Sequence, residues 1–374
     1  MKKRTKTLVA MMLVIACIMS VGLTACNADS PGATNTNSPA TQTPGPTPSE
    51  TPDATPSVAP TESGPAGGDA VENPFDLFVY DLPDGYKKSN EQAGTVTLEE
   101  YTTYVYDENG VPGEEISAAM YVYTPFGYDP SKEYNILYLM HGGGESEGYW
   151  LGEGPYAEGG EKYNKATAKY TTNVVDNMIA DGVCGDVIIV TPTFYTNYNA
   201  TSDLARFRYE MKNDIIPFVE AKYSTYAGGD VSVENLIATR DHRAYAGFSM
   251  GSMTGFEAIW GGCVDYFAYI GNYSGCDPNG AGVVNTVVEG LKANYADYDI
   301  KYWYNGTGTK DTAEKDHLDN YAKMLELAGD IFSEGENYAE GNNCIMVDKP
   351  DKGHAYNGWI VDLYNSLLVF FKAS

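Results

Sequence analysis

The pentapeptide Gly247-Phe248-Ser249-Met250-Gly251 restricts the fold of this chain more than any other stretch. An apolar run from His242 to Phe248 (HRAYAGF) stops at Ser249, and a helix-compatible segment, MGSMTGFEAIW, starts at once. Strand, sharp turn and helix in that order put the turn residue at the C-terminal end of a strand in a tight backbone conformation. Glycine at the flanking positions lets strand and helix pass without a side-chain clash. Ser249 is therefore the candidate nucleophile. The bare pattern is weak in a chain with 40 glycines, and it occurs again at Gly144-Glu145-Ser146-Glu147-Gly148. That copy lies beyond the end of the apolar run NILYLM and leads into GYWLGEGPY, which has no helical period, so it lacks the context that Ser249 has.

The first 25 residues read as an export signal. A basic start (Lys2, Lys3, Arg4, Lys6) precedes LVAMMLVIACIMSVGL and then Leu23-Thr24-Ala25-Cys26, the arrangement of a bacterial lipoprotein signal. Cleavage before Cys26 would make it the lipidated first residue and anchor the chain to the outer face of a membrane. Residues 26–73 are dominated by Pro, Thr, Ser, Ala and Gly and bury too little apolar surface to offset their ordering entropy, so they read as a tether. Residues 74–374 have no second low-complexity break and suit one large domain.

Without its four signal-segment cations the chain keeps 20 Lys and Arg against 51 Asp and Glu, a net charge of about −31. Such a surface repels nucleic acid and other polyanions, and a neutral polymer or small neutral ester fits it better. Cys184, Cys263, Cys276 and Cys344 show no C-x-x-C spacing, so no metal or redox site is expected. Disulfides remain open, with Cys263 and Cys276 the nearest pair in sequence.

Two alternating β-rich segments, TVTLEEYTTYVY and ISAAMYVYTPF, joined by DENGVPG, predict an antiparallel start. From YNILYLM onward, strands alternate with helical segments, which predicts a mostly parallel central sheet with helices on both faces, the α/β-hydrolase class. In such sheets the chemistry gathers where strands end and loops begin. Ser249, the His141-Gly142-Gly143-Gly144 loop, the loop after IKYWYNGTG and the loop after CIMVDKP all fall at such ends.

A serine hydroxyl needs a neighbouring base. Of the four histidines, His141 opens the glycine loop, His242 starts the strand far from its elbow end, and His317 lies in the charged segment TAEKDHLDNYAK, where a solvated position is expected. His354, in the loop after the last strand, is the candidate base. Asp311, directly after IKYWYNGTG, is the candidate acid, with Asp277, Asp316 and Asp319 as rivals. The order Ser249, Asp311, His354 is that of α/β-hydrolases. Charge building on an ester carbonyl needs preplaced donors, for which Met250 N–H and Gly142 or Gly143 are the candidates. Trp150, Tyr195, Tyr273 and Trp359 are candidates to stack on a sugar or a phenolic ring.

In order, YLMHGGGESEGYW, NVVDNMIADG, VIIVTP, the helix ending IIPFVEAKYS, DHRAYAGFSMGS, FAYIGNYSG, GTGTKDT and GHAYNGW resemble the feruloyl esterase domains of carbohydrate esterase family one, over about residues 95–372. The resemblance implies a serine esterase that releases ferulate or acetate from plant xylan without a cofactor. It also puts nucleophile, acid and base on Ser249, Asp311 and His354. The segments 156–170 and 228–240 and the wide spacing before His354 depart from the family pattern around the expected cleft. Two other readings stay open: an acyltransferase or peptidase on the same scaffold, and a surface glycan-binding lipoprotein that has lost activity.

Overall fold

The structure, a computed structural model, describes residues 73–152, 165–195, 203–276 and 281–372. The signal segment, Cys26, nearly all of the tether, Asp277 and most of segment 156–170 lie outside the described residues.

The strands are β1 (Thr95–Tyr106), β2 (Pro112–Thr124), β3 (Asn135–Met140), β4 (Val187–Thr191), β5 (Arg243–Phe248), β6 (Tyr269–Tyr273), β7 (Tyr302–Lys310) and β8 (Cys344–Gly353). They form one sheet in the order β1-β2-β4-β3-β5-β6-β7-β8. The β1–β2 and β2–β4 pairs are antiparallel, and every later pair is parallel. The opening hairpin turns where the Asp107 carboxylate accepts the N–H groups of Asn109 (2.8 Å) and Val111 (2.9 Å), so that side chain shapes the turn. Strands β4 and β5 are buried at every residue, which explains their unbroken apolar runs: both faces are covered.

The covering helices are α1 (Lys165–Ala180), α2 (Phe207–Glu210, continuing through a π-helical segment, Met211–Ile215, into Ile216–Lys222), α3 (Met250–Thr254, continuing as a π-helical Gly255–Trp260), α4 (Ala281–Asn294), α5 (Glu314–Leu327) and α6 (Tyr356–Val369). Helices α1 and α6 pack on one face, where Val174, Met178, Ile360 and Leu363 meet Leu137 and Ala246. The others pack on the opposite face, where Met211, Ile259, Val287 and Met324 meet Tyr245 and Trp303. The expected α/β architecture is therefore present, with its antiparallel strands confined to one edge.

One buried ion pair sits at the start of the strand that leads to Ser249. Arg243, which begins β5, donates to both carboxylate oxygens of Glu220 on α2, at 2.6 and 2.9 Å. Its remaining donors reach the carbonyls of Leu236 and Tyr266, while Tyr138 and Thr225 hydroxyls donate to Glu220. A pair removed from water needs this degree of satisfaction to persist.

Cys184, Cys263, Cys276 and Cys344 are all buried free thiols, so the Cys263–Cys276 bond left open by the sequence is absent. Burial raises the Cys184 and Cys263 thiols to about 12 and that of Cys344 to about 11. The chain expected to be irregular after Ser146 contains one helical turn, Gly148–Leu151.

Candidate active site

Ser249 follows β5 with φ 52° and ψ −118°, a strained conformation for a residue with a Cβ. The neighbouring strand helps to hold it, because the Ser249 N–H donates to the Tyr273 carbonyl at 2.9 Å. The flanking glycines are required by contact. A Cβ on Gly247 would lie 2.7 Å from the Gly251 carbonyl carbon, and one on Gly251 would lie 2.5 Å from the His141 carbonyl oxygen. The second match to the pattern does not form such a turn; Ser146 is buried, and its hydroxyl accepts from Gly148 N–H at 3.4 Å.

Strand β7 delivers Asp311, and β8 delivers His354 one residue past its end. His354 Nε2 lies 2.9 Å from Ser249 Oγ, and Nδ1 lies 2.8 Å from Asp311 Oδ1. A carboxylate only accepts, so Nδ1 carries the hydrogen and Nε2 is left to accept from the serine hydroxyl. Asp311 Oδ1 also accepts Ala313 N–H at 2.8 Å. Burial pushes this carboxyl up, yet the hydrogen bonds from His354 and Ala313 and the His354 charge outweigh it, leaving its pKa below the usual aspartate value. The rival acids Asp316 and Asp319 are exposed on α5.

A cavity of about 320 Å³ opens on these groups, lined by Gly143, Glu145, Tyr149, Phe248, Ser249, His354, Ala355, Tyr356 and Trp359. Its wall is largely aromatic: Trp359 stands edge-on to the His354 ring with centroids 5.1 Å apart, and Tyr149 lies 4.9 Å from Phe248. Gly143 reaches the cavity beside the Met250 side chain. Met250 is the first residue of α3, so its N–H is one of the helix-start donors that lack an intrahelical acceptor. The Gly142 N–H points instead at Glu145 Oε2, 3.3 Å away. Of the two glycines that the sequence left as alternatives, Gly143 is thus the one at the cavity.

The four aromatic candidates separate. Trp359 lines the cavity. Trp150 is fully buried and its indole N–H donates to the Met140 carbonyl at 3.2 Å; Tyr273 is fully buried with its hydroxyl 2.7 Å from Ser366 Oγ. Both belong to the core rather than to a stacking surface: Trp150 stands on the helical turn Gly148–Leu151 and Tyr273 ends β6, and each is packed into the cluster covered by helices α1 and α6. Tyr195 braces the glycine loop, its hydroxyl accepting Gly144 N–H at 2.6 Å. The sequence reading missed Phe248, Tyr149, Tyr356 and Glu145. Phe248 and Tyr356 carried a signal, since they lie one and two residues from Ser249 and His354.

The other histidines lie away from the cavity. His141 is buried, with Nδ1 2.8 Å from the Gly142 carbonyl and Nε2 2.8 Å from Thr193 Oγ1. His242 stacks on Tyr226 and meets Asn135 Oδ1 at 2.8 Å. His317 is 1% exposed, contrary to the solvated position expected of it, because it shares the inward face of α5 with Asn320, Tyr321 and Met324. Among the described residues no group of three or more His, Cys, Asp or Glu is placed to hold a metal ion.

No protein-family profile matches the chain. It is 37% identical over 313 residues to endo-1,4-beta-xylanase Y of Acetivibrio thermocellus, covering 80% of this chain and 26% of that protein. It is 28% identical over 218 residues to an endo-1,4-beta-xylanase/feruloyl esterase of Xylanibacter ruminicola, covering 56% and 24%. The chain thus spans about a quarter of the length of these curated relatives. Among solved structures, a mutant feruloyl esterase module from Clostridium thermocellum complexed with sinapinate matches with TM-score 0.65 at 28% identity, over 80% of this chain and 97% of that one. The ferulic acid esterase of Anaeromyces mucronatus, at 20% identity and TM-score 0.56 over 79% and 98%, shares the fold. With this sheet, these relatives and this strand-end serine, the chain is a feruloyl esterase-like serine hydrolase domain related to xylan-degrading enzymes and homologous to part of xylanase Y.

Proposed function

We propose that the domain hydrolyses esters of aromatic acids, feruloyl groups on xylan foremost, through Ser249, His354 and Asp311. The observation that carries this reading is the 2.9 Å contact between Ser249 Oγ and His354 Nε2 at the floor of an aromatic-walled cavity. Ser249 Oγ attacks the ester carbonyl carbon as its proton passes to His354 Nε2, and Asp311 stabilises the resulting imidazolium. The oxyanion takes hydrogen bonds from Met250 and Gly143 N–H. When the intermediate collapses, the bond to the sugar oxygen breaks and His354 protonates that oxygen. A water molecule, deprotonated by His354, then attacks the acyl-enzyme and frees the acid.

Tyr149, Phe248, Tyr356 and Trp359 offer ring faces and edges to a planar acyl group, which favours feruloyl over acetyl esters. The sinapinate complex of a related module supports an aromatic acid in this position. We further propose that residues 1–25 are removed, that Cys26 carries lipid, and that residues 26–73 tether the catalytic domain, residues 74–374, at the cell surface within reach of polysaccharide.

The test compares methyl ferulate, acetylated xylan and a peptide amide on the purified domain. Turnover of methyl ferulate above the other two, with fluorophosphonate labelling lost in Ser249→Ala, is the expected result. An unlabelled wild-type domain, or undiminished hydrolysis by the variant, overturns the reading. For the anchor, incorporation of radiolabelled palmitate in a bacterial host should disappear with Cys26→Ala.

A further inference from the structure

The main chain of the Ser249 elbow rests on the peptide that follows β6. A Cβ placed on Gly275 would lie 2.3 Å from the Ser249 carbonyl oxygen and 3.0 Å from its Cα, so the two backbones are in direct contact. Two side chains converge on the Gly275 carbonyl from different elements. Ser252 Oγ, on α3, donates to it at 2.7 Å and is itself met by Asn272 Nδ2 at 3.0 Å. His317 Nδ1, on α5, lies 2.6 Å from the same oxygen and 3.2 Å from the Gly275 nitrogen. The carbonyl at the shorter distance only accepts, so the ring hydrogen resides on Nδ1. Burial holds the ring neutral, its pKa lowered to about 4.

The helix carrying His317 starts at the acid. Asp311 Oδ1 accepts Ala313 N–H, and the Asp311 carbonyl accepts Glu314 N–H at 3.2 Å, so the first turn of α5 is anchored on the residue that binds His354. His317 N–H follows with the Ala313 carbonyl at 2.9 Å. One rigid helical turn therefore separates the acid from the imidazole that holds the shelf beneath the serine.

We propose that His317 is a positioning residue for the nucleophile: through the Gly275 carbonyl it ties the helix that starts at Asp311 to the backbone of the Ser249 elbow. It touches neither the cavity nor the reacting atoms. Because serine and base must meet within hydrogen-bond range, a small displacement of the elbow lowers the rate of attack far more than the affinity for substrate. The inference rests on Ser249 being the nucleophile and Asp311 the acid.

The experiment compares His317→Leu, which removes the donor, with His317→Asn, whose amide can donate close to the position of Nδ1. His317→Leu is expected to lower kcat on methyl ferulate by roughly ten- to a hundredfold with KM changed less than about threefold, and to slow fluorophosphonate labelling in parallel. His317→Asn is expected to recover most of both. Equal loss in the two variants, or a KM effect without a kcat effect, overturns the proposal and leaves His317 as packing. Should neither variant fold, Ser252→Ala, which removes the other donor to the same oxygen, must show the same kcat-weighted loss, and a wild-type rate there overturns the proposal. Spectra of the 15N-histidine-labelled wild-type domain must also show a neutral ring protonated at Nδ1; an Nε2-protonated ring overturns it without any variant. A wild-type domain that labels normally while His317 variants are indifferent sinks this inference alone, whereas label that survives Ser249→Ala sinks the site itself.

Discussion

The indole of Trp359 lies flat on the ring of Phe248, with centroids 3.9 Å apart and planes 19° from parallel. Phe248 immediately precedes Ser249, and Trp359 also meets the His354 ring at nearly a right angle, with centroids 5.1 Å apart. The stack thus joins the strand that leads to Ser249 to the helix that follows His354, and it forms one wall of the cavity. Trp359→Ala is expected to cost about 3–5 kcal/mol of unfolding free energy, as for other buried large-to-small changes. Kinetically it should lower kcat/KM for methyl ferulate more than for a methyl acetate-type ester, with Trp359→Phe intermediate. Equal losses on the two esters would separate this wall from acyl recognition.

Replacing Asp311 is expected to change His354 rather than the binding site. Asp311→Asn keeps the size of the side chain but removes the charge that holds the Nδ1–H tautomer of His354, so kcat is expected to fall by about 10³–10⁴-fold with KM little altered. Steady-state kinetics on methyl ferulate check this, and a loss below about tenfold would assign the acid elsewhere.

Glu220→Gln leaves the Arg243 guanidinium buried without its counter-charge. Breaking one side of a buried pair costs about 3–5 kcal/mol. Denaturant titration should show that loss, while the folded fraction labels with fluorophosphonate at the wild-type rate. A matching collapse in labelling would mean that the pair reaches the elbow and not only the core.

Acid should destabilise the fold through two buried rings. Burial lowers the pKa of both His141 and His317 from 6.5 to about 4. The unfolded chain therefore binds protons below pH 6.5 that the folded one refuses until about pH 4, and stability falls as pH falls through that window. The shift corresponds to about 3 kcal/mol per ring. Asp362, whose buried carboxyl is raised to about 6, works the other way in the same range, so the check is a difference: urea unfolding should take up about one proton fewer in His317→Asn than in the wild-type domain. The same uptake in both would contradict the burial of the His317 ring.

The sheet was legible because its strands are short unbroken apolar runs separated by helical periods, and the elbow because Gly247 and Gly251, where no Cβ fits, flank Ser249 between an apolar run and a helical segment. Choosing His354 and Asp311 needed only chain order and the position of loops past strand ends. What the sequence hid depends on which face of an element turns inward. His317 sits among Glu314, Lys315, Asp316 and Asp319, and that local charge masks the spacing it shares with Tyr321 and Met324. Trp150 and Tyr273 belong to segments that end near the crevice, yet their side chains point beneath it. Glu145 entered the site only through the fold of the glycine loop, which no periodicity describes.

The four sulfhydryl groups are sealed in the interior as free thiols, and burial holds those of Cys184, Cys263 and Cys344 protonated, so this architecture makes no use of a covalent cross-link among them. Maturation then asks nothing of an oxidant or a disulfide isomerase, and dithiothreitol should leave the folded domain untouched. Such a unit can be produced in a reducing cytoplasm, or grafted onto a secreted scaffold, without redox conditions deciding whether it works.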